Sequence, residues 1–422
     1  MAMDIKPEEM LLDRAFSVLL LLIMTQAYRV VAVVIGIPEI SYVTAFITVL
    51  CSIYIIYKLT LRKVRVEYAF LFFLAIFLFP SLTLIYTYDP DPRNFFIQLH
   101  YFLLFISSGL FFSSFHLPVR IFLAAFFISV FAMVLSIVQP GLFSSMAEMA
   151  SARFDYLGRG SGLFLQPNLI AYNLILMMML VLLCMESMRG KTFAALAVLF
   201  LGALFLTGSR GGMIAGTVLL VGALAVGRWA KNLQFALSAL ALLWIAVLIA
   251  LSWSVATPSG IDLSLYLERV SSIFADDVAE HGSVALRLAF QHEFILRIYE
   301  RPFLGYGLGS IDYMLETEQL IGAAHNQFLD SLLQYGLAGG AIMLACAFAL
   351  YRRLSKVGEI RSSSFALILT ATLALSMMGT NMIFSMQNFY VFLGFALMDR
   401  RSIGNLRATR IAKEGVSRLP AF

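Results

Sequence analysis

The chain has 422 residues, of which 61% are hydrophobic and only 13% charged, with a net charge of +5. A soluble domain holds about a quarter charged residues, so this composition excludes a soluble globular protein and indicates an integral membrane protein. The basic residues are scattered over short loops, so the net charge says little about nucleic acid, and no nucleic-acid partner is expected.

Without water in the bilayer core, only helices and closed barrels satisfy the backbone. The apolar runs here are continuous and about 20 residues long, which is helix length and not strand alternation. The sequence therefore predicts an all-α, polytopic protein of about 12 transmembrane helices. In chain order they lie near 15–36, 41–57, 68–87, 95–115, 121–138, 168–187, 192–208, 212–228, 233–254, 326–350, 363–382 and 384–398. The segment before the first run carries four acids and two bases and no evident cleavage site, so that run is expected to be a retained anchor. Cys51, Cys184 and Cys346 fall in separate apolar runs, which speaks against a disulfide framework or a cysteine metal site.

Sidedness follows from Lys and Arg. With both termini inside, the inner segments hold 21 of the 30 basic residues; the outer ones hold 8, and Arg29 lies within the first span. This expectation gives one membrane domain in three stretches. Residues 1–254 carry nine helices and an outer loop at 139–167. Residues 255–325 form one long, structured outer loop. Residues 326–422 carry three helices and a basic inner tail. In the long loop, Ser283 is placed to cap an amphipathic helix running to about Ile298, with Pro302 ending it. Val284, Leu288 and Ile295 form an apolar stripe suited to the membrane interface, while Arg287 and Gln291, four apart, share another face.

Few polar groups interrupt these runs. Thr207-Gly208-Ser209-Arg210-Gly211-Gly212 joins two spans. Glycines there permit a tight turn and close backbone approach, and the next helix's free amides favour an anion. Ala324-His325-Asn326 opens a later span, where a histidine with an ordinary pKa of about 6.5 can act as a general base. Arg29, read as two turns inside the first span, must snorkel or pair. His100, Asn381, Gln387 and Asn388 read as polar residues that pack helices. Gly305, Gly307 and Gly309 mimic half a dinucleotide fingerprint without its strand and helix. Asp89-Pro90-Asp91 mimics a metal-binding pair but reads as a short turn.

Three stretches together resemble the superfamily of bacterial O-antigen ligases and polysaccharide polymerases. They are Thr207-Gly208-Ser209-Arg210-Gly211-Gly212; Arg287 followed by Arg301-Pro302-Phe303-Leu304-Gly305-Tyr306-Gly307; and Ala324-His325-Asn326-Gln327-Phe328-Leu329 running into Gln334-Tyr335-Gly336. Gly162-Leu163-Phe164-Leu165-Gln166-Pro167-Asn168 adds an upstream signature. The family often has a Trp shortly after the loop arginine; this chain has Phe290 and Gln291.

The resemblance implies a GT-C-like fold in the bacterial inner membrane, with both termini cytoplasmic and a periplasmic site. It implies a metal-independent, inverting glycosyltransferase without a cofactor. The donor would be an undecaprenyl-pyrophosphate-linked glycan, the acceptor a lipid-linked glycan or lipid A-core. His325, Arg210 and Arg287 would carry catalysis, and Arg159, Arg29, Asn326, Gln291, Ser209 and Asn168 would bind substrate. Chain-length regulators or other polysaccharide assembly proteins are the implied protein partners, alongside membrane lipid. The residues before His325 are Gly322-Ala323-Ala324, without the second histidine frequent in ligases, and this favours a polymerase. The alternative from another class is a lipid-linked glycan transporter. Such proteins place ionisable groups near the midplane and use paired broken helices, whereas here the ionisable residues read as confined to the outer rim.

Overall fold

The computed structural model describes residues 7–35, 40–61, 72, 74–87, 90–114, 118–139, 143, 161–164, 166–184, 190–226, 282–355, 363–380 and 383–397. The expected span at 233–254, most of the outer loop at 139–167, the first part of the long loop and the basic tail lie outside them.

Every regular element among the described residues is helical. These are α1 Pro7–Thr25, α2 Tyr28–Ile35, α3 Ile40–Leu61, a π segment Leu74–Leu78 running into α4 Phe79–Thr83, α5 Pro92–Ser114, α6 Pro118–Val138 and α7 Pro167–Cys184. They are followed by α8 Gly190–Thr207, α9 Arg210–Val226, α10 Gly282–Glu300, α11 Ser310–Glu316, α12 Gln327–Leu354, α13 Ser363–Gly379 and α14 Gln387–Leu397. Five of them (α3, α5, α6, α7 and α12) are long and apolar enough to cross a membrane, and α8, α9, α13 and α14 are shorter apolar helices. Large exposed apolar side chains such as Phe46, Ile53, Phe131 and Phe348 suit a lipid surroundings.

Helix α7 is apolar on all sides and buried along its length. It packs against α6, α8, α9 and α14. Around it α5 lies against α14 and α3, and α9 against α13.

Three expectations are corrected. The first span is not continuous: Gln26, at φ +60°, separates α1 from α2. Such a break frees carbonyls that apolar surroundings cannot satisfy. The Gln26 amide reaches Ile23 O at 3.4 Å, and Asn388 donates to Met24 O at 2.7 Å. Arg29 therefore sits in the first turn of α2, just past the break, with Nε buried and unpartnered among the described residues. The third span is also not one helix. Pro80 has no N–H to donate and shifts the register, leaving the π segment and the single turn of α4.

Ionisable groups, lastly, are not confined to one rim. Lys58 is fully buried and pairs with Asp13 at 2.7 Å, and Tyr54 donates to the same carboxylate oxygen at 2.7 Å. His100 is buried between Thr48 (2.7 Å to Nδ1) and the Gln387 amide (3.1 Å to Nε2). An amide nitrogen can only donate, so Nε2 accepts and Nδ1 carries the proton. Asn388 also bonds Asn173 on α7. His100, Gln387, Asn388 and Asn173 thus join helices around the break at Gln26, while Asp13 and Lys58 join α1 to α3 elsewhere.

Candidate active site

The site grows from the turn between α8 and α9. Gly208 takes φ +59°, a conformation open to glycine, and lets the chain reverse. Thr207 Oγ1 accepts the Ser209 N–H at 3.1 Å while donating to Leu204 O at 2.6 Å. Ser209 then caps α9, accepting the Gly212 N–H at 3.3 Å on its hydroxyl and the Met213 N–H at 2.9 Å on its carbonyl. Arg210 is the first residue of α9 and half-buried. The Tyr172 hydroxyl of α7 lies within interaction reach of the Ser209 side chain and within electrostatic reach of Arg287.

Arg287 lies on α10, which begins at Gly282, one residue before the expected cap, and ends at Glu300. Leu288 and Ile295 of the expected interfacial stripe are exposed. The face carrying Arg287, Gln291, Phe294 and Ile298 turns inward, with Phe294 fully buried among Tyr306, Ile311, Met314, Leu320, Ala324 and Leu333. Four side chains of α10 hold the returning segment 319–324. Arg297 donates to Gln319 O (3.3 Å), Glu293 accepts from Ile321 N–H (3.2 Å), Phe290 packs on Gly322, and Gln291 donates to Ala324 O (3.2 Å). Phe290 and Gln291 stand where the family resemblance led to a Trp.

His325 follows directly, at φ +52°. A non-glycine residue in this region costs on the order of 1–3 kcal/mol and persists only where its surroundings impose it. Here Gln291 fixes the preceding residue and α12 fixes the following ones. Asn326 is extended and caps α12, accepting from Phe328 N–H (3.0 Å) and Leu329 N–H (3.4 Å). Gln327 N–H bonds Thr380 O at 3.1 Å, and its side-chain oxygen accepts from Phe384 N–H at 3.3 Å. His325 thus stands where α10, α12 and the α13–α14 connection meet. Burial first, and then the Arg287 guanidinium, push its pKa below the usual 6.5. It is held neutral at pH 7, the form that accepts a proton.

A second device fixes α10 against α12. At Gly336 (φ +60°, ψ −162°) α12 is broken. Segment 302–307 lies in the break and takes up the freed groups. Tyr306 and Gly307 donate to Leu333 O and Gln334 O (2.9 and 2.8 Å), and Leu337 and Ala338 donate to Pro302 O and Phe303 O (2.8 and 3.1 Å). Gly305, Gly307 and Gly309 all have positive φ, and a Cβ on Gly305 would lie 2.5 Å from Gln334 C. Gly305 and Gly307 lie against the backbone of Gln334 and Thr83, and Gly309 lies against the Asn94 side chain. Asp91, of the discarded metal-like pair, accepts the Arg93 N–H at 2.8 Å at the start of α5.

The structure thus brings Arg287, His325, Gln291, Ser209 and Asn326 into one region, with Arg210 adjoining Ser209. Asn168 lies in the first turn of α7, one turn before Tyr172. Asn326 and Ser209 are helix caps, and Gln291 bonds backbone; each has a structural task within the fold. Arg29 belongs to the α1–α2 break, and no described contact joins it to Arg287. Arg159 lies outside the described residues. Tyr172 was not singled out by sequence, because a tyrosine in an apolar helix reads as core. Its spacing, four residues after Asn168 in the upstream signature, was the one available cue.

Residues 195–344 match the family model described as O-antigen ligase. No curated protein matches the chain.

Proposed function

We propose, from the match of residues 195–344 to the O-antigen ligase family model and from the geometry above, that the chain is a metal-independent, inverting glycosyltransferase. Its donor is an undecaprenyl-pyrophosphate-linked glycan, and its acceptor is the hydroxyl of a second lipid-linked repeat unit. The single observation that carries this reading is the position of Arg287, within electrostatic reach of both His325 and the Tyr172–Ser209 pair.

The acceptor oxygen attacks the anomeric carbon as the bond from that carbon to the phosphate oxygen breaks. His325 takes the acceptor proton, and the lipid pyrophosphate leaves with the bonding electrons. Arg287 and Arg210 stabilise the charge that develops on it, since guanidinium groups stay charged and match phosphate oxygens. Among the described residues no carboxylate pairs with Arg287, which leaves that cation available to an anion. Arg159, Arg29 and Asn168 contribute to donor binding, with Ser209, Asn326 and Gln291 supporting the two arms. The protein sits in the inner membrane with both termini cytoplasmic and this end of the bundle periplasmic. Chain-length regulators are its expected protein partners.

The test is reconstitution with lipid-pyrophosphate-linked repeat units in the presence of EDTA. A ladder of longer lipid-linked glycans is expected, and Arg210→Ala and Arg287→Ala should each lower the rate about 10²–10³-fold. Transfer only after lipid A-core is added would make the protein a ligase. The breaks at Gln26 and Gly336 favour, as a second reading, a lipid-linked glycan transporter. Movement of a labelled lipid-linked glycan across vesicles without any transfer would select it.

A further inference from the structure

Gly211, in the first turn of α9, and Gly379, at the end of α13, face each other across one atom, the Tyr172 hydroxyl oxygen. A Cβ on Gly211 would lie 2.5 Å from that oxygen, and a Cβ on Gly379 would be closer still. Little else crowds either position. A Gly211 Cβ meets Gly379 Cα at 3.7 Å and Tyr172 Cζ at 3.7 Å; a Gly379 Cβ meets Tyr172 Cζ at 3.4 Å and Gly211 Cα at 3.7 Å. These are ordinary contacts, so the space kept by two glycines on two helices is filled by a single hydroxyl. Tyr172 is otherwise fully buried, with the Ser209 side chain within interaction reach of its hydroxyl.

A phenylalanine would give the same apolar packing without requiring two glycines or a polar partner in the core. The hydroxyl therefore joins three parts: the capped start of α9 beside Arg210, the end of α13 that leads to the Thr380–Gln327 bond, and the field of Arg287. We infer that Tyr172 is a positioning residue, which sets the α9 N-terminus and Arg210 against Arg287 at the separation needed to grip a diphosphate. This inference rests on the proposed function for its ligand class.

The test uses the purified full chain in detergent, with inorganic pyrophosphate as the probe in titration calorimetry. Tyr172→Phe should weaken binding about tenfold, the scale of one lost hydrogen bond, with the melting temperature little changed. Gly379→Ala should weaken it similarly by displacing the hydroxyl. Added to Tyr172→Phe, the alanine has no hydroxyl to strike, so the double variant should bind like Tyr172→Phe alone. Wild-type affinity in Tyr172→Phe overturns the inference, as does full additivity in the double variant or a wild-type protein that binds no pyrophosphate. Should Tyr172→Phe fail to fold, Gly379→Ala and Ser209→Ala decide, each expected to weaken binding.

Glycan transfer, measured on the same preparations, separates the two ideas. A Tyr172 effect on pyrophosphate without any transfer by the wild type removes the transferase reading alone. Normal transfer with no Tyr172 effect removes this inference alone.

Discussion

The Gln291 side chain donates to the Ala324 carbonyl at 3.2 Å, so one amide on α10 fixes the backbone immediately before His325. Arg287 lies one turn earlier on the same inward face, and the bond therefore ties the helix of the proposed clamp to the turn of the proposed proton acceptor. Gln291→Ala should lower transfer about tenfold, as expected for one lost hydrogen bond. Gln291→Glu, which loses the donor and adds a charge, should do at least as much harm. Initial rates on lipid-linked repeat units measure both, and unchanged rates would show that the bond does not position His325.

His325 is pushed below its ordinary pKa by burial and by Arg287, so both effects disfavour the imidazolium. A general base works deprotonated, so the acid limb of the pH–rate profile should lie below pH 6.5 in the wild type. Removing the guanidinium removes one of the two causes. In the residual activity of Arg287→Ala the limb should move to higher pH, and an unmoved limb would assign it to another group.

Gly336 combines a positive φ with a site where a Cβ would collide with the Phe303 backbone. Gly336→Ala should break the pairing of 302–307 with α12, at a cost of several kcal/mol from strain and lost hydrogen bonds. Activity should fall with it. Gly340→Ala is the matched control, because its Cβ meets only the end of the Leu332 side chain, at 3.1 Å. Thermal unfolding in detergent compares the two, and equal melting temperatures would contradict the close packing at the break.

Asp13 and Lys58 form a buried pair joining α1 to α3. Asp13→Ala leaves the ammonium uncompensated, which typically costs about 3–5 kcal/mol. Replacing both by apolar residues (Asp13→Leu with Lys58→Met) should recover most of that loss. A double variant less stable than Asp13→Ala would mean that the pair stabilises beyond mutual compensation.

Gly305, Gly307 and Gly309 mark the boundary of what a sequence conveys. Their spacing and the lack of a surrounding nucleotide fold were visible, so that reading could be rejected. Their use was not visible, since it depends on a break in α12 some 30 residues on, at Gly336. The same holds for Gln26, where a run of uniform hydropathy conceals a helix break stabilised by Asn388 from the far end of the chain.

The membrane-protein class, the helical secondary structure and the resemblance to the O-antigen ligase family were legible in the residues alone. Composition and run length follow from the need to satisfy every backbone group in lipid, and the motifs at 207–212, 301–307 and 324–329 are local. Only the tertiary structure decided which polar residues meet. It bonded Gln291 to Ala324, put Arg287 within electrostatic reach of both His325 and Tyr172, and gave Ser209 and Asn326 to helix caps. Such meetings depend on helix packing and on where helices break, and these come from contacts between residues far apart in the chain. Tyr172 illustrates the limit, since its hydroxyl has meaning only once two distant glycines have made room for it.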